Sequence, residues 1–198
     1  MSYMEVHETL VEFRKYLVVE RRVSPLTTEG YLRDIGFFAL FFESRFGVFE
    51  PEQVTSRTIR RYLASLHQES LHASTIGRRL SALRAYFRYL VRMERLSSDP
   101  TQNSRTPKLA KRTPRFLSAD DAQRLVEHPR GDSPAAYRDR AILELTYGAG
   151  LRVSEVVGID LADVDLNAGT VRVLGKGNKT RIVPMGAAAS DAIELYLH

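Results

Sequence analysis

Residues 150–186, GLRVSEVVGIDLADVDLNAGTVRVLGKGNKTRIVPMG, carry the reading on which the fold turns. Gly148 and Gly150 allow a tight turn, after which Leu151–Gly158 reads as a short helix with Arg152 near its start. Val164–Leu166 has the length and apolar content of a short strand. Thr170–Leu174 alternates as a half-buried strand does, Gly175-Lys176-Gly177-Asn178 is a turn signal, and Lys179–Val183 supplies a return strand that Pro184 ends. A β-hairpin is therefore predicted directly after a short helix. Two side chains stand out chemically. A guanidinium beside the amide groups of a helix start makes an anion site, so Arg152 could hold a phosphate; the plainer alternative is that Glu155 or another acid simply holds it. Lys176 on its glycine-flanked turn is either solvated, as loop lysines usually are, or carried on a mobile tip that brings an ammonium to a scissile phosphate and protonates the leaving oxygen. No lysine followed by Ser or Thr stands at the distance from these glycines that a Walker loop requires, so no ATP site is predicted.

Upstream, the periodicity is helical as far as Met93. A first helix is predicted over about residues 3–20, with Val6, Leu10, Phe13 and Leu17 on one face. Pro25 with Thr27 and Thr28 opens a second, whose stripe of Tyr31, Ile35, Phe38, Phe42 and Phe46 is ended by Gly47. The third spans about residues 56–69, capped by Thr55, with Ile59, Leu63 and Leu66 inward. In the fourth, Thr75 to Met93, Ile76, Leu80, Leu83, Phe87 and Leu90 face a core while Arg84, Arg88 and Arg92 line up as a separate stripe. Aligned arginines repel one another unless something negative lies against them, which favours a helix laid on phosphates. Residues 97–114, SSDPTQNSRTPKLAKRTP, read as a basic linker between two domains. Beyond it, Ser118 caps a helix through Val126, a longer helix runs from Ala135 to Tyr147, and a last one from Ala187 to Tyr196.

Composition narrows the function classes. The chain has 198 residues, 43% hydrophobic and 27% charged, enough for one or two cores and without an apolar run long enough to span a bilayer. MSYMEVHETLVEF at the start has acidic residues where a secretory signal carries positive charge, which points to a cytoplasmic protein. There is no cysteine, and the five histidines have no metal-binding spacing, so neither a metal nor another cofactor is expected. The net charge of +5 is unevenly spread: residues 78–115 hold eleven basic side chains against two acidic ones. Concentrated charge of this kind suits a polyanion such as nucleic acid, although a solvated helix face with a basic linker reads the same way.

Taken together, the 150–186 stretch closely resembles the first half of the catalytic domain of tyrosine site-specific recombinases, the phage integrase family, and most of all the bacterial Xer recombinases. The resemblance extends upstream, where Leu26-Thr27-Thr28-Glu29-Gly30-Tyr31-Leu32-Arg33-Asp34 and the helix Thr75–Phe87 are similar to the family's core-binding domain. It implies a mainly α fold: a four-helix, SAM-like core-binding domain over residues 1–96, the linker over 97–114, and over 115–198 the first part of an α+β catalytic domain that contains the hairpin. It further implies a metal-free reaction in which a tyrosine attacks a DNA phosphate, a 3′-phosphotyrosyl link stores the bond energy, and a 5′-hydroxyl reverses the step. On this likeness Arg152 neutralises charge on the non-bridging oxygens, Lys176 is the general acid for the 5′-oxygen, and Glu155 supports the site. Arg78, Arg79, Arg84, Arg88, Arg92, Lys108, Lys111, Arg112, Lys179 and Arg181 are the candidate DNA contacts, the last two also placed to steady the hairpin. The implied partners are a duplex recombination site, a second recombinase of the same family in a tetramer on DNA, and a septal DNA translocase, with chromosome-dimer resolution at cell division as the role.

The sequence also departs from the family. No histidine is followed by arginine three residues later, and neither Tyr196 nor the earlier tyrosines stand in the nucleophile's context. The expectation is that this chain is part of a longer recombinase and binds DNA without cutting it. A naturally short, non-catalytic protein that occupies recombination sites, and the integrase of a mobile element, are the alternatives.

Overall fold

The computed structural model describes residues 8–106, 116–175, 177 and 179–198. The chain forms two compact units, Met1–Arg112 and Thr113–His198.

The first unit is built from α1 (Glu8–Lys15), α2 (Pro25–Phe46), α3 (Ser56–Gln68) and α4 (Ala73–Arg92). Its helix starts follow the local chemistry. Ser24 accepts a hydrogen bond from the Thr27 amide ahead of Pro25, and Thr55 and Thr58 cap α3 reciprocally. His72 performs the same service for α4, its Nδ1 accepting from the Ser74 amide. The core gathers Leu10, Phe13 and Leu17 with Ile35, Phe38 and Phe42 of α2, Ile59, Tyr62 and Leu66 of α3, and Ile76, Leu80, Leu83, Phe87 and Leu90 of α4. Phe38 is its hub, meeting Tyr62, Phe49 and Phe87 edge-on at centroid distances of 5.1, 5.9 and 6.3 Å. On α3 the buried place expected for Leu63 is taken by Tyr62, and Leu63 is only half-buried.

Two expectations are altered here. The first helix does not stay α-helical to Glu20: after Lys15 it widens into a π turn, Tyr16–Glu20, and the chain leaves through Arg22 at φ +47. The wide turn keeps Leu17 in the core and sets the Tyr16 ring 4.9 Å from that of Tyr89. The segment read as linker from Ser97 is not a free strand of chain over residues 97–106. Thr101 and Ser104 are buried, Asp99 accepts from the Thr101 amide and hydroxyl at 2.7 and 2.6 Å, and Thr106 packs over Gly77 of α4. Residues 107–115, and with them Lys108, Lys111 and Arg112, lie outside the described residues.

The second unit sets α5 (Ala119–Val126), α6 (Pro134–Tyr147), α7 (Val153–Val157) and α8 (Ala187–Leu197) around an antiparallel sheet. The strands are β1 (Val164–Asp165), β2 (Thr170–Gly175) and β3 (Lys179–Pro184), in that order. Ser118 and Ser133 cap α5 and α6. Along β2, Val171 and Val173 point inward onto Ala141 and Leu145 of α6 and Ala189, Ala192 and Ile193 of α8, while Arg172 and Leu174 point out. The hairpin is in the register Val173 opposite Arg181 and Gly175 opposite Lys179. The observed fold is thus mainly helical with one small antiparallel sheet.

Candidate active site

The site in the second unit begins where α6 ends. Gly148 closes tightly on the last turn, its amide 2.7 Å from the Glu144 carbonyl, and a Cβ there would lie only 2.9 Å from that oxygen. Gly150, at φ +62, takes the left-handed step that glycine permits, and the buried Leu151 then anchors the loop. Arg152 follows in an extended conformation as the cap residue of α7. Three residues on, Glu155 folds back so that its Oε2 accepts the Arg152 amide at 2.9 Å. Spacing of this kind is what satisfies an otherwise orphaned donor at a helix start.

The Glu155 carboxylate is almost closed to water, its side chain 3% exposed, and two guanidinium groups share it. Arg181 of β3 grips it with both prongs, Nη1 to Oε1 at 2.7 Å and Nη2 to Oε2 at 2.9 Å. Arg152 touches it with one, Nη1 to Oε1 at 2.9 Å, and keeps a side chain 68% exposed. The hydrogen bonds from Arg181, then that from the Arg152 amide, hold the Glu155 carboxyl at a pKa of about 2, below its ordinary 4.5 and against the opposing effect of burial. Gly175 makes room for the arrangement: a Cβ there would stand 2.8 Å from Arg181 Nη1 and 3.7 Å from Glu155 Oε1. One carboxylate against two guanidinium groups leaves a positive excess at an exposed arginine, which can hold an anion.

Of the sequence-predicted residues, Arg152, Glu155 and Arg181 therefore come together, and the hairpin is where it was expected. Lys176 lies outside the described residues, while Gly175 on the strand leading to it is part of the cluster. Lys179 is exposed at the foot of β3. Arg181 was read only as a hairpin or DNA-contact residue; the register that sets it opposite the inward-facing Val173, and so on that strand's inner face, is the signal that finds it beside a carboxylate 26 residues earlier. Among the described residues no group of three His, Cys, Asp or Glu is placed to hold a metal ion.

The arginines of the first unit form a different picture from an unpaired ladder. Arg78 is paired to the buried Asp34, and Arg79 lies over the Phe37 ring, 4.2 Å from its centroid, with Nη1 3.4 Å from the Tyr62 hydroxyl. Arg84 donates to the Ser104 carbonyl and, at 2.9 Å, to the Thr106 hydroxyl. Arg92 contacts Tyr16 at 3.3 Å and Glu20 at 3.5 Å. Arg88 is the least engaged, with only a 3.9 Å approach to Asp99 and most of its side chain in solvent. Repulsion along the stripe is thus relieved within the protein, by acids and carbonyls that lie far away in sequence.

Comparison with known proteins matches residues 115–198 to the Phage integrase family and residues 10–94 to the Phage integrase, N-terminal SAM-like domain. The chain is 42% identical over 198 residues to the tyrosine recombinase XerC of Pelotomaculum thermopropionicum, covering 98% of this chain and 64% of that protein. It is 37% identical over 192 residues to the tyrosine recombinase XerD of Halalkalibacterium halodurans, covering 97% and 64%. The chain thus spans a little under two thirds of the length of these curated relatives. Among solved structures, a lambda integrase dimer bound to a COC′ core site superposes with a TM-score of 0.69 at 20% identity, covering 96% of this chain and 67% of that one. The Tn1549 transposon integrase in complex with transposon right end DNA gives 0.69 at 19%, covering 93% and 63%. At those identities the likeness is one of fold.

Proposed function

This chain belongs to the phage integrase family of tyrosine recombinases, and from that premise we propose that it is the DNA-holding and phosphate-activating part of a site-specific recombinase that cuts and rejoins duplex DNA through a 3′-phosphotyrosyl intermediate. The observation that carries the reading is the exposed Arg152 guanidinium, left with a positive excess by the Arg152–Glu155–Arg181 cluster, on a chain whose curated relatives are named tyrosine recombinases.

In the proposed reaction Arg152 binds a non-bridging oxygen of the scissile phosphate and offsets the charge that grows there as the fifth oxygen arrives. Lys176 gives its ammonium proton to the departing 5′-oxygen, and the reverse transfer activates the 5′-hydroxyl that later reseals the strand. Glu155 holds Arg152 in place. Arg88, with Lys179 and the lysines and arginine at 108, 111 and 112, contributes the phosphate contacts that give affinity without sequence choice. A second recombinase, a tetramer on paired sites, a septal DNA translocase and a role in chromosome-dimer resolution complete the proposal. The names XerC and XerD among the relatives favour that role over integration of a mobile element.

The sequence holds no histidine with arginine three residues on, so this chain alone is proposed to bind duplex DNA without forming a covalent link to it. A nicked suicide duplex separates binding from chemistry. The expected result is a retarded complex that denaturing gels resolve fully into free DNA and free protein. A covalent adduct would contradict the account of this chain, and absence of any complex would contradict the DNA-binding assignment.

A further inference from the structure

We propose that Arg181 is a positioning residue that neutralises Glu155 so that Arg152 is left free to take a phosphate. The proposal rests on the reading of Arg152 as a phosphate ligand and adds a division of labour between the two arginines. A carboxylate as enclosed as that of Glu155 needs a cationic partner, because an uncompensated buried charge is strongly unfavourable. Arg181 meets that need fully. It is bidentate, at 2.7 and 2.9 Å, it sits on a strand whose register is fixed against β2, and its own side chain is 41% exposed. Arg152 contributes one side-chain bond only. Among the described residues its Nε and Nη2 meet no protein acceptor, so a planar two-donor edge remains for an oxyanion.

Without Arg181, one guanidinium would have to serve the carboxylate by itself. Arg152 would turn its fork onto Glu155, its charge would be cancelled, and the edge that faces solvent would be used up. The absence of a side chain at Gly175 belongs to the same device, since a Cβ there would displace the Arg181 Nη1 atom from the carboxylate.

The test uses this chain, inorganic phosphate as the probe, and the side-chain Nε–H resonance of Arg152 followed by NMR. In the wild-type chain a saturable shift of that resonance is expected. Arg181→Ala should weaken the phosphate response about tenfold, the loss of one charge-assisted contact. Arg181→Lys, which keeps the charge but not the fork, should fall between the two. Arg181→Ala combined with Glu155→Gln should recover to within about threefold of wild type, because the charge that captures Arg152 has been removed. A role confined to bracing the hairpin would not be rescued by deleting a second partner. A single variant as tight as wild type, or a double variant no tighter than the single, would overturn the proposal. If Arg181→Ala does not fold, the double variant decides: folded and phosphate-binding supports it, folded and unresponsive overturns it. A wild-type chain with no response at Arg152 overturns both this inference and the functional reading beneath it, whereas a wild-type response indifferent to residue 181 overturns this inference alone.

Discussion

Glu155 owes its ionised state in a nearly dry place to four hydrogen bonds from two parts of the chain, and that debt is visible in pH. Its carboxyl is held at about 2 when folded, against an ordinary 4.5, so the stabilisation it supplies is complete above about pH 4.5 and is lost as the pH falls toward 2. Thermal melts of wild type and Glu155→Gln across that window are expected to differ above pH 4.5 and to converge below it; curves that stay equally far apart would deny the linkage. Gly175→Ala should act at the same point. Its new methyl meets Arg181 Nη1, costs about 1 to 3 kcal/mol of stability, and raises the Glu155 carboxyl in a carbon-13 titration. An unshifted Glu155 would mean that Arg181 has another way round. From sequence, Arg152 and Glu155 were readable as a pair because a three-residue spacing at a helix start brings them together. Arg181 was not readable as their partner, since strand register alone decides which carboxylate a residue 26 positions away can reach.

The elements show the same division between local and distant causes. Pro25 at the start of α2, the caps Thr55 and Ser118, the α2 and α4 stripes, and the alternation along β2 act over a few residues, and each marks an element where it was expected. The π turn after Lys15 was not legible, because the packing of Tyr16 against Tyr89, some seventy residues on, selects it over continued α-helix. The arginine stripe on α4 was legible as a stripe but not as a set of bonds. Arg84 closes residues 97–106 onto the helix, so Arg84→Ala should leave melting nearly unchanged while tryptic cleavage after Arg105 speeds up; unchanged cleavage would mean that Thr106 against Gly77 suffices. Arg88, whose donors are nearly unused, should lose more DNA affinity on alanine substitution than Arg84 does. In the core, Phe38→Ala is expected to cost about 3 to 5 kcal/mol by chemical denaturation, since three rings meet Phe38 edge-on.

At the scale of the whole molecule, the chain joins a helical unit rich in cations to a second unit that holds the Arg152–Glu155–Arg181 cluster. Composition counted the charge between residues 78 and 115 but not its pairing: Asp34, Asp99 and Glu20 lie against Arg78, Arg88 and Arg92, whose side chains still face solvent. The second unit leaves Val157, Leu161 and Ile182 well exposed. The proposed grip on duplex DNA through its phosphates is read out by equilibrium binding to a labelled duplex at a series of salt concentrations. If at least four phosphates are neutralised, the logarithm of affinity falls linearly with the logarithm of salt concentration, with a slope of about −3.6 or steeper. A flat salt response, or no binding to duplex at low salt, would contradict it.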